Sequence, residues 1–261
     1  IWWAGHDLLR FSKAQWLSIR GKKISMIFQD PMSSLNPVLS IKTQMEEILQ
    51  FHTDLKPHAI DTLCQELLAK VRIRNPKEVL KQYPHQLSGG MRQRIMIAMA
   101  IACEPDLIIA DEPTTSLDVT VQAQMIDLLR DLQKKMNTAI VLITHNLAVV
   151  AGMCERVLVL YAGKIVEDAN IDALFQQPLH PYSQGLLKAV PRLNSHDQEP
   201  LATIPGAPPD LIAPPLGCAF HPRCEKAMRI CAIEEPSLLS IEGRLVACWL
   251  YDARKRINTS S

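Results

Sequence analysis

Between residues 86 and 170, short and wholly apolar runs alternate with longer amphipathic stretches. The runs sit at Leu107–Ala110, Ile140–Ile143 and Val157–Leu160. A strand with no polar face has to be buried on both sides, and the segments between these runs are long enough to supply the helices that bury them. One such helix runs to about Cys103. Another begins at about Val119 and carries Val121, Met125, Leu128, Leu132 and Met136 on one stripe, which reads as core packing. The pattern predicts an α/β fold built on a parallel sheet covered on both faces. A further strand is expected at Lys23–Phe28, where "KISMIFQD" mixes β-branched and aromatic residues and stops at Gln29.

The rest of the chain organises around that sheet. "DPMSSLNP" reads as a loop, and from Ile41 to about Lys81 apolar residues recur at three- and four-residue spacing, which predicts a small helical subdomain. Beyond residue 170 the composition changes. "HPYSQGLLKAVP" (180–191) is expected to form a turn, a helix and a proline stop, with His180 and Tyr182 as packing and capping groups. "PGAPPDLIAPPLG" (205–217) is expected to be an extended connector.

Charge and hydropathy exclude some partners. Lys and Arg number 28 against 27 Asp and Glu, and no basic block of five appears, so no nucleic-acid footprint is expected. No apolar run approaches the roughly 18 residues needed to cross a bilayer, so any membrane contact is expected to go through a partner. The opening stretch "IWWAGHDLLRFSKAQW" does not read as a secretion signal.

The polar residues that follow the apolar runs are the candidate site. Open α/β sheets bind ligands at the carboxyl ends of their strands. The predicted strands deliver Gln29, Asp111 with Glu112, and His145 to that rim. Asp111 offers the hard oxygen that Mg²⁺ prefers, and Glu112 beside it could orient or deprotonate a water. Separately, Ser88 stands at the mouth of an apolar helix as an N-cap. Gly89 and Gly90 remove the Cβ atoms that would keep an anion from the first N–H groups, where the helix dipole favours negative charge.

These segments carry a family resemblance. "LSGGMRQR", "LIIADEPTTSLD", "VLITHNLAVV" and "IFQDPMSSLNP" resemble the signature motif, Walker B segment with D-loop, switch-histidine region and glutamine loop of ATP-binding-cassette transporter ATPases. With "DEPTTSLDVTVQAQ", "HPYSQGLL" and the cysteine tail, nearly the whole chain resembles the D-type ATP-binding subunit of dipeptide and oligopeptide permeases. The resemblance implies a P-loop-type ATPase domain with an incomplete parallel core sheet. Residues 1–40 form a remnant of the core, 41–92 the helical subdomain, 93–170 the core, and 171–261 a small C-terminal extension containing cysteines. It also implies roles. Gln29 senses the γ-phosphate and Mg²⁺; Ser88, Gly89 and Gly90 bind ATP held by the opposite subunit; Asp111 holds Mg²⁺; Glu112 is the general base; Asp118 sits in the D-loop across the dimer; and His145 contacts the γ-phosphate.

The implied partners are a second ATPase subunit, two membrane-spanning permease subunits and, indirectly, a periplasmic peptide-binding protein. The implied place is the cytoplasmic face of the bacterial inner membrane. Of the two function classes this leaves, one is an energy-coupling ATPase subunit for peptide import. The other is a truncated, inactive relic that at most completes a partner's ATP site.

One departure bears on activity. Such ATPases hold phosphate with G-x-x-x-x-G-K-[ST]. Here "GKK" (21–23) has Trp16 in place of the first Gly and Lys23 in place of the Ser or Thr, and the cradle is expected to lie before Ile1. Losing three charge-assisted contacts at about 2 kcal/mol each costs roughly four decades of affinity. These residues alone are therefore expected neither to bind ATP tightly nor to hydrolyse it. A sheet lacking its opening strands is also expected to leave an apolar face uncovered.

Cys218, Cys224, Cys231 and Cys248 give C-x5-C-x6-C-x16-C. The spacing points to a metal and leaves zinc or an iron–sulfur centre open. The permease resemblance implies a [4Fe-4S] cluster with a structural or regulatory role. Cys64, Cys103 and Cys154 are isolated and read as small core residues.

Overall fold

The structure is a computed structural model. It describes residues 1–115, 117–190 and 203–252, which form two compact units, Ile1–His145 and Asn146–Ser261. In the first unit a small hairpin, β1 (Trp2–Trp3) with β2 (His6–Asp7), precedes helix α1 (Lys13–Ile19) and strand β3 (Ile24–Ile27). Helices α2 (Pro31–Ser34), α3 (Ile41–His52), α4 (Pro57–Lys70), α5 (Pro76–Lys81) and α6 (Gly89–Ala100) follow. Strand β4 (Leu107–Asp111), helix α7 (Val119–Met136) and strand β5 (Ala139–Ile143) complete the unit.

Strands β3, β4 and β5 lie side by side in that order, all parallel, with Met26, Ile109 and Val141 in one row and Ile27, Ala110 and Leu142 in the next. Because side chains alternate across a strand, each row shows one face. Ser25, Ile27, Ile108 and Ala110 are buried, and α6 packs on β3. On the other face Met26, Val141 and Ile143 are exposed by 38%, 48% and 47%. The expectation of cover on both faces therefore holds for one face only among the described residues. The helical subdomain forms as expected, with Ile41, Met45 and Leu49 of α3 and Ile60, Leu67 and Leu68 of α4 closed off from solvent.

Two local expectations are corrected. "DPMSSLNP" contains a helical turn, α2, because Asp30 caps it by accepting the Met32 N–H at 2.8 Å and Pro31 fills the first turn, where no N–H is needed. The apolar run at 157–160 does not join the parallel sheet. It lies in the second unit as β6 (Arg156–Tyr161), which follows α8 (Leu147–Met153) and turns directly into β7 (Lys164–Asn170). The two linking residues, Ala162 and Gly163, take φ of 50° and 77°, the left-handed geometry of a tight antiparallel hairpin. A parallel partner would have required a crossover of a dozen residues or more.

The second unit continues with α9 (Ile171–Gln176), α10 (Pro181–Lys188), β8 (Leu239–Ile241) and β9 (Arg244–Val246), and its sheet runs β6-β7-β9-β8, all antiparallel. Glu167 in β7 is fully buried and accepts the backbone N–H groups of Leu179 and His180 at 2.8 and 2.9 Å, which ties the start of α10 to the sheet. His180 caps α10 and packs beside Phe220, and Tyr182 stacks edge-on with Tyr161, in agreement with their expected roles. The proline stop, Pro191, lies outside the described residues. The 205–217 connector contains no helix or strand, and Arg223 anchors its start by donating to the carbonyls of Ile204 and Pro205.

Candidate functional site

The parallel register sets the site. Gln29 lies two residues beyond Ile27 and Glu112 two beyond Ala110, the paired residues of β3 and β4, so both side chains leave the sheet at the same height. His145 stands two residues beyond the end of β5, where Ile143 accepts the Glu112 N–H at 2.9 Å. These segments, well separated in sequence, converge on one carboxylate. Gln29 Nε2 donates to Glu112 Oε2 at 2.8 Å, and His145 Nδ1 lies 3.1 Å from Oε1. A third partner, Thr115, donates its hydroxyl to Oε2 at 2.8 Å. The Thr115 hydrogen bond, followed by that of His145, holds the Glu112 carboxyl below the ordinary carboxylate range, so the group is ionised at neutral pH.

Asp111 ends β4 and is half-buried beside Glu112, with Ile143 opposite it in the sheet. Its carboxylate and the amide oxygen of Gln29 are hard oxygen donors of the kind Mg²⁺ takes. Ser88 and Asp118 do the same local task at two helix starts. Ser88 accepts the Met91 N–H at 3.3 Å to cap α6, and Asp118 accepts the Val121 N–H at 2.9 Å to cap α7. A Cβ on Gly90 would lie 3.2 Å from Val121 Cγ1, so the two helix starts are neighbours. A Cβ on Gly89 would meet nothing within 4 Å, so that side of the helix start has room for an approaching anion.

Sequence reasoning missed Thr115. A hydroxyl three residues after a carboxylate is a weak signal on its own. It gains meaning here because Glu112 takes φ of 43° and starts a turn that brings Thr115 back against it.

The structure gives the expected four-cysteine metal centre no support. Among the described residues no group of three or more His, Cys, Asp or Glu side chains is arranged to hold a metal ion. Cys218, Cys224, Cys231 and Cys248 are free thiols. Burial, and after it the neighbouring thiols of the same group, push the thiols of Cys218 and Cys224 up, and that of Cys248 to about 11. Cys231 Sγ instead accepts the Met228 N–H at 3.4 Å. Cys64 is a buried small residue, as expected, and Cys103 and Cys154 are half-buried. No described helix is long and apolar enough to cross a membrane.

The sheet, the helical subdomain and the polar rim together define an ATP-binding-cassette ATPase. The ABC transporter family model matches residues 1–115, and the family model "Oligopeptide/dipeptide transporter, C-terminal region" matches residues 166–231. The ATP-binding cassette MJ0796, solved as a dimer in a post-hydrolysis state bound to ADP and Pi, superposes with a TM-score of 0.58 at 26% identity over 65% of this chain and 72% of that one. The oligopeptide transport ATP-binding protein AppD of Bacillus subtilis is 49% identical over 94% of this chain and 75% of its own length. OppD of Escherichia coli is 49% identical over 94% and 72%, and the dipeptide transport ATP-binding protein DppD of Bacillus subtilis is 49% identical over 95% and 74%. This chain belongs to the family of oligopeptide and dipeptide ABC-transporter ATP-binding subunits.

Proposed function

We propose that the chain is the ATP-binding subunit of a peptide importer and couples ATP hydrolysis to the transport of dipeptides or oligopeptides. It works with a second ATP-binding subunit beneath two membrane-spanning permease subunits, at the cytoplasmic face of the bacterial inner membrane, and a periplasmic binding protein delivers the peptide. The observation that carries this reading is the convergence of Gln29, Thr115 and His145 on Glu112 at the carboxyl rim of the parallel sheet. The names of the relatives support the cargo class. A relic reading has less support, because a chain freed from catalysis has no reason to keep this constellation on one carboxylate.

In this function Glu112 is the general base that takes a proton from the attacking water. His145 orients that water and contacts the γ-phosphate. Asp111 and Gln29 would hold Mg²⁺, whose charge balances that of the transferring phosphoryl group when it is bound. Ser88, Gly89 and Gly90 present their open helix start to ATP on the opposite subunit, and Asp118 lies beside that interface. Gln29 now donates to Glu112, and each hydrogen bond that a carboxylate accepts makes it a weaker base. Exchange of Glu112 for the nucleotide by Gln29 would strengthen the base before hydrolysis, which makes its loop a switch between resting and closed forms.

Peptide uptake into proteoliposomes, with the subunit expressed from its native gene beside its partners, tests the reading. ATP-dependent uptake that is lost in Glu112→Gln is expected. Undiminished uptake in that variant would overturn it.

A further inference from the structure

We infer that Thr115 is a positioning residue for hydrolysis, its hydroxyl holding the Glu112 carboxylate at the angle from which it meets the attacking water. This deepens the proposed function and rests on Glu112 acting as the base there.

The geometry separates the three partners of Glu112 by where they come from. Gln29 and His145 arrive from the ends of β3 and β5, so each is free to turn toward a nucleotide without disturbing Glu112. Thr115 belongs to the same turn as Glu112. Its backbone N–H donates to the Glu112 carbonyl at 3.3 Å while its hydroxyl donates to Oε2 at 2.8 Å. The turn is itself fixed: Thr114 is buried, its hydroxyl accepts from Gln122 Nε2 of α7 at 3.1 Å, and its carbonyl accepts the Leu117 N–H at 3.1 Å.

Two hydrogen bonds meet at Oε2. When Gln29 leaves, the Thr115 bond remains and keeps the carboxylate from rotating. Glu112 needs such a hold, because a side chain on a left-handed backbone, φ 43°, loses the rotamer support of a regular strand. Thr115 is exposed, so its side chain contributes no core packing.

The test compares Thr115→Val, which keeps the shape and removes the hydroxyl, with Thr115→Ser, which keeps the hydroxyl. Both are made in the transporter expressed from its native genes, with ATP turnover measured against ATP concentration. Thr115→Val is expected to lower kcat roughly tenfold with KM for ATP unchanged, Thr115→Ser to restore most of the loss, and Thr115→Val added to Glu112→Gln to cost nothing more. A merely structural role would move the melting temperature and leave kcat in the folded fraction alone. Normal kcat in Thr115→Val beside lost turnover in Glu112→Gln would overturn this inference and spare the proposed function. Normal turnover in Glu112→Gln would overturn both.

Discussion

Acidification from pH 7 to pH 5 should loosen the second unit through one residue, His180. Its side chain is 1% exposed, and Nδ1 accepts the Tyr182 N–H at 3.0 Å, so the neutral ring is the form that caps α10. Burial pushes the imidazole from 6.5 down to about 4. The unfolded chain therefore gains a proton as the pH falls through 6.5, while the folded chain gains none until about 4. The stability contribution is whole above 6.5 and shrinks as the pH drops toward 4. At about 1.4 kcal/mol per pH unit the full window is worth about 3 kcal/mol, of which about 2 kcal/mol is lost by pH 5. With a urea dependence of about 2 kcal/mol per molar, the unfolding midpoint should fall by about 1 M. Trp249, buried in this unit, reports the transition once Trp2, Trp3 and Trp16 are replaced by Phe. His180→Asn keeps a capping acceptor without a titrating ring and should lose most of that fall. His52, also lowered by burial, is present in both proteins and cancels. An equal fall in His180→Asn would refute the reasoning.

Glu167→Ala leaves the buried N–H groups of Leu179 and His180 without their acceptor and should cost about 2–5 kcal/mol, read as a lower urea midpoint of the same unit. A polypeptide of these 261 residues contains no G-x-x-x-x-G-K-[ST] and should bind ATP with a Kd of about 10 mM, seen by calorimetry as no resolvable heat at micromolar nucleotide.

The rim of the site was legible because it depends on few things. Apolar runs of strand length mark where strands end, parallel register levels those ends, and the next polar residues, Gln29, Glu112 and His145, must then share an edge. What stayed illegible depends on backbone detail. The run at 157–160 looks like the runs of β4 and β5, and only the left-handed pair Ala162–Gly163 tells that it folds back on its neighbour. The Asp30–Pro31 cap makes a helical turn out of a segment whose composition reads as a loop. Thr115 becomes functional only through the turn begun at Glu112. Spacing puts four cysteines in one region of the sequence, yet it carries no information about whether their thiols take up the geometry of a metal site, and among the described residues no such group forms.

ATP turnover of Glu112→Gln, compared with the parent protein in the transporter expressed from its native genes, addresses the hydrolytic rim most directly. A positioned general base contributes about a hundredfold or more, so kcat should fall at least that far while ATP binding persists. Turnover within a few-fold of the parent would show that Glu112, with Gln29, Thr115 and His145 gathered on it, is not where the chemistry happens.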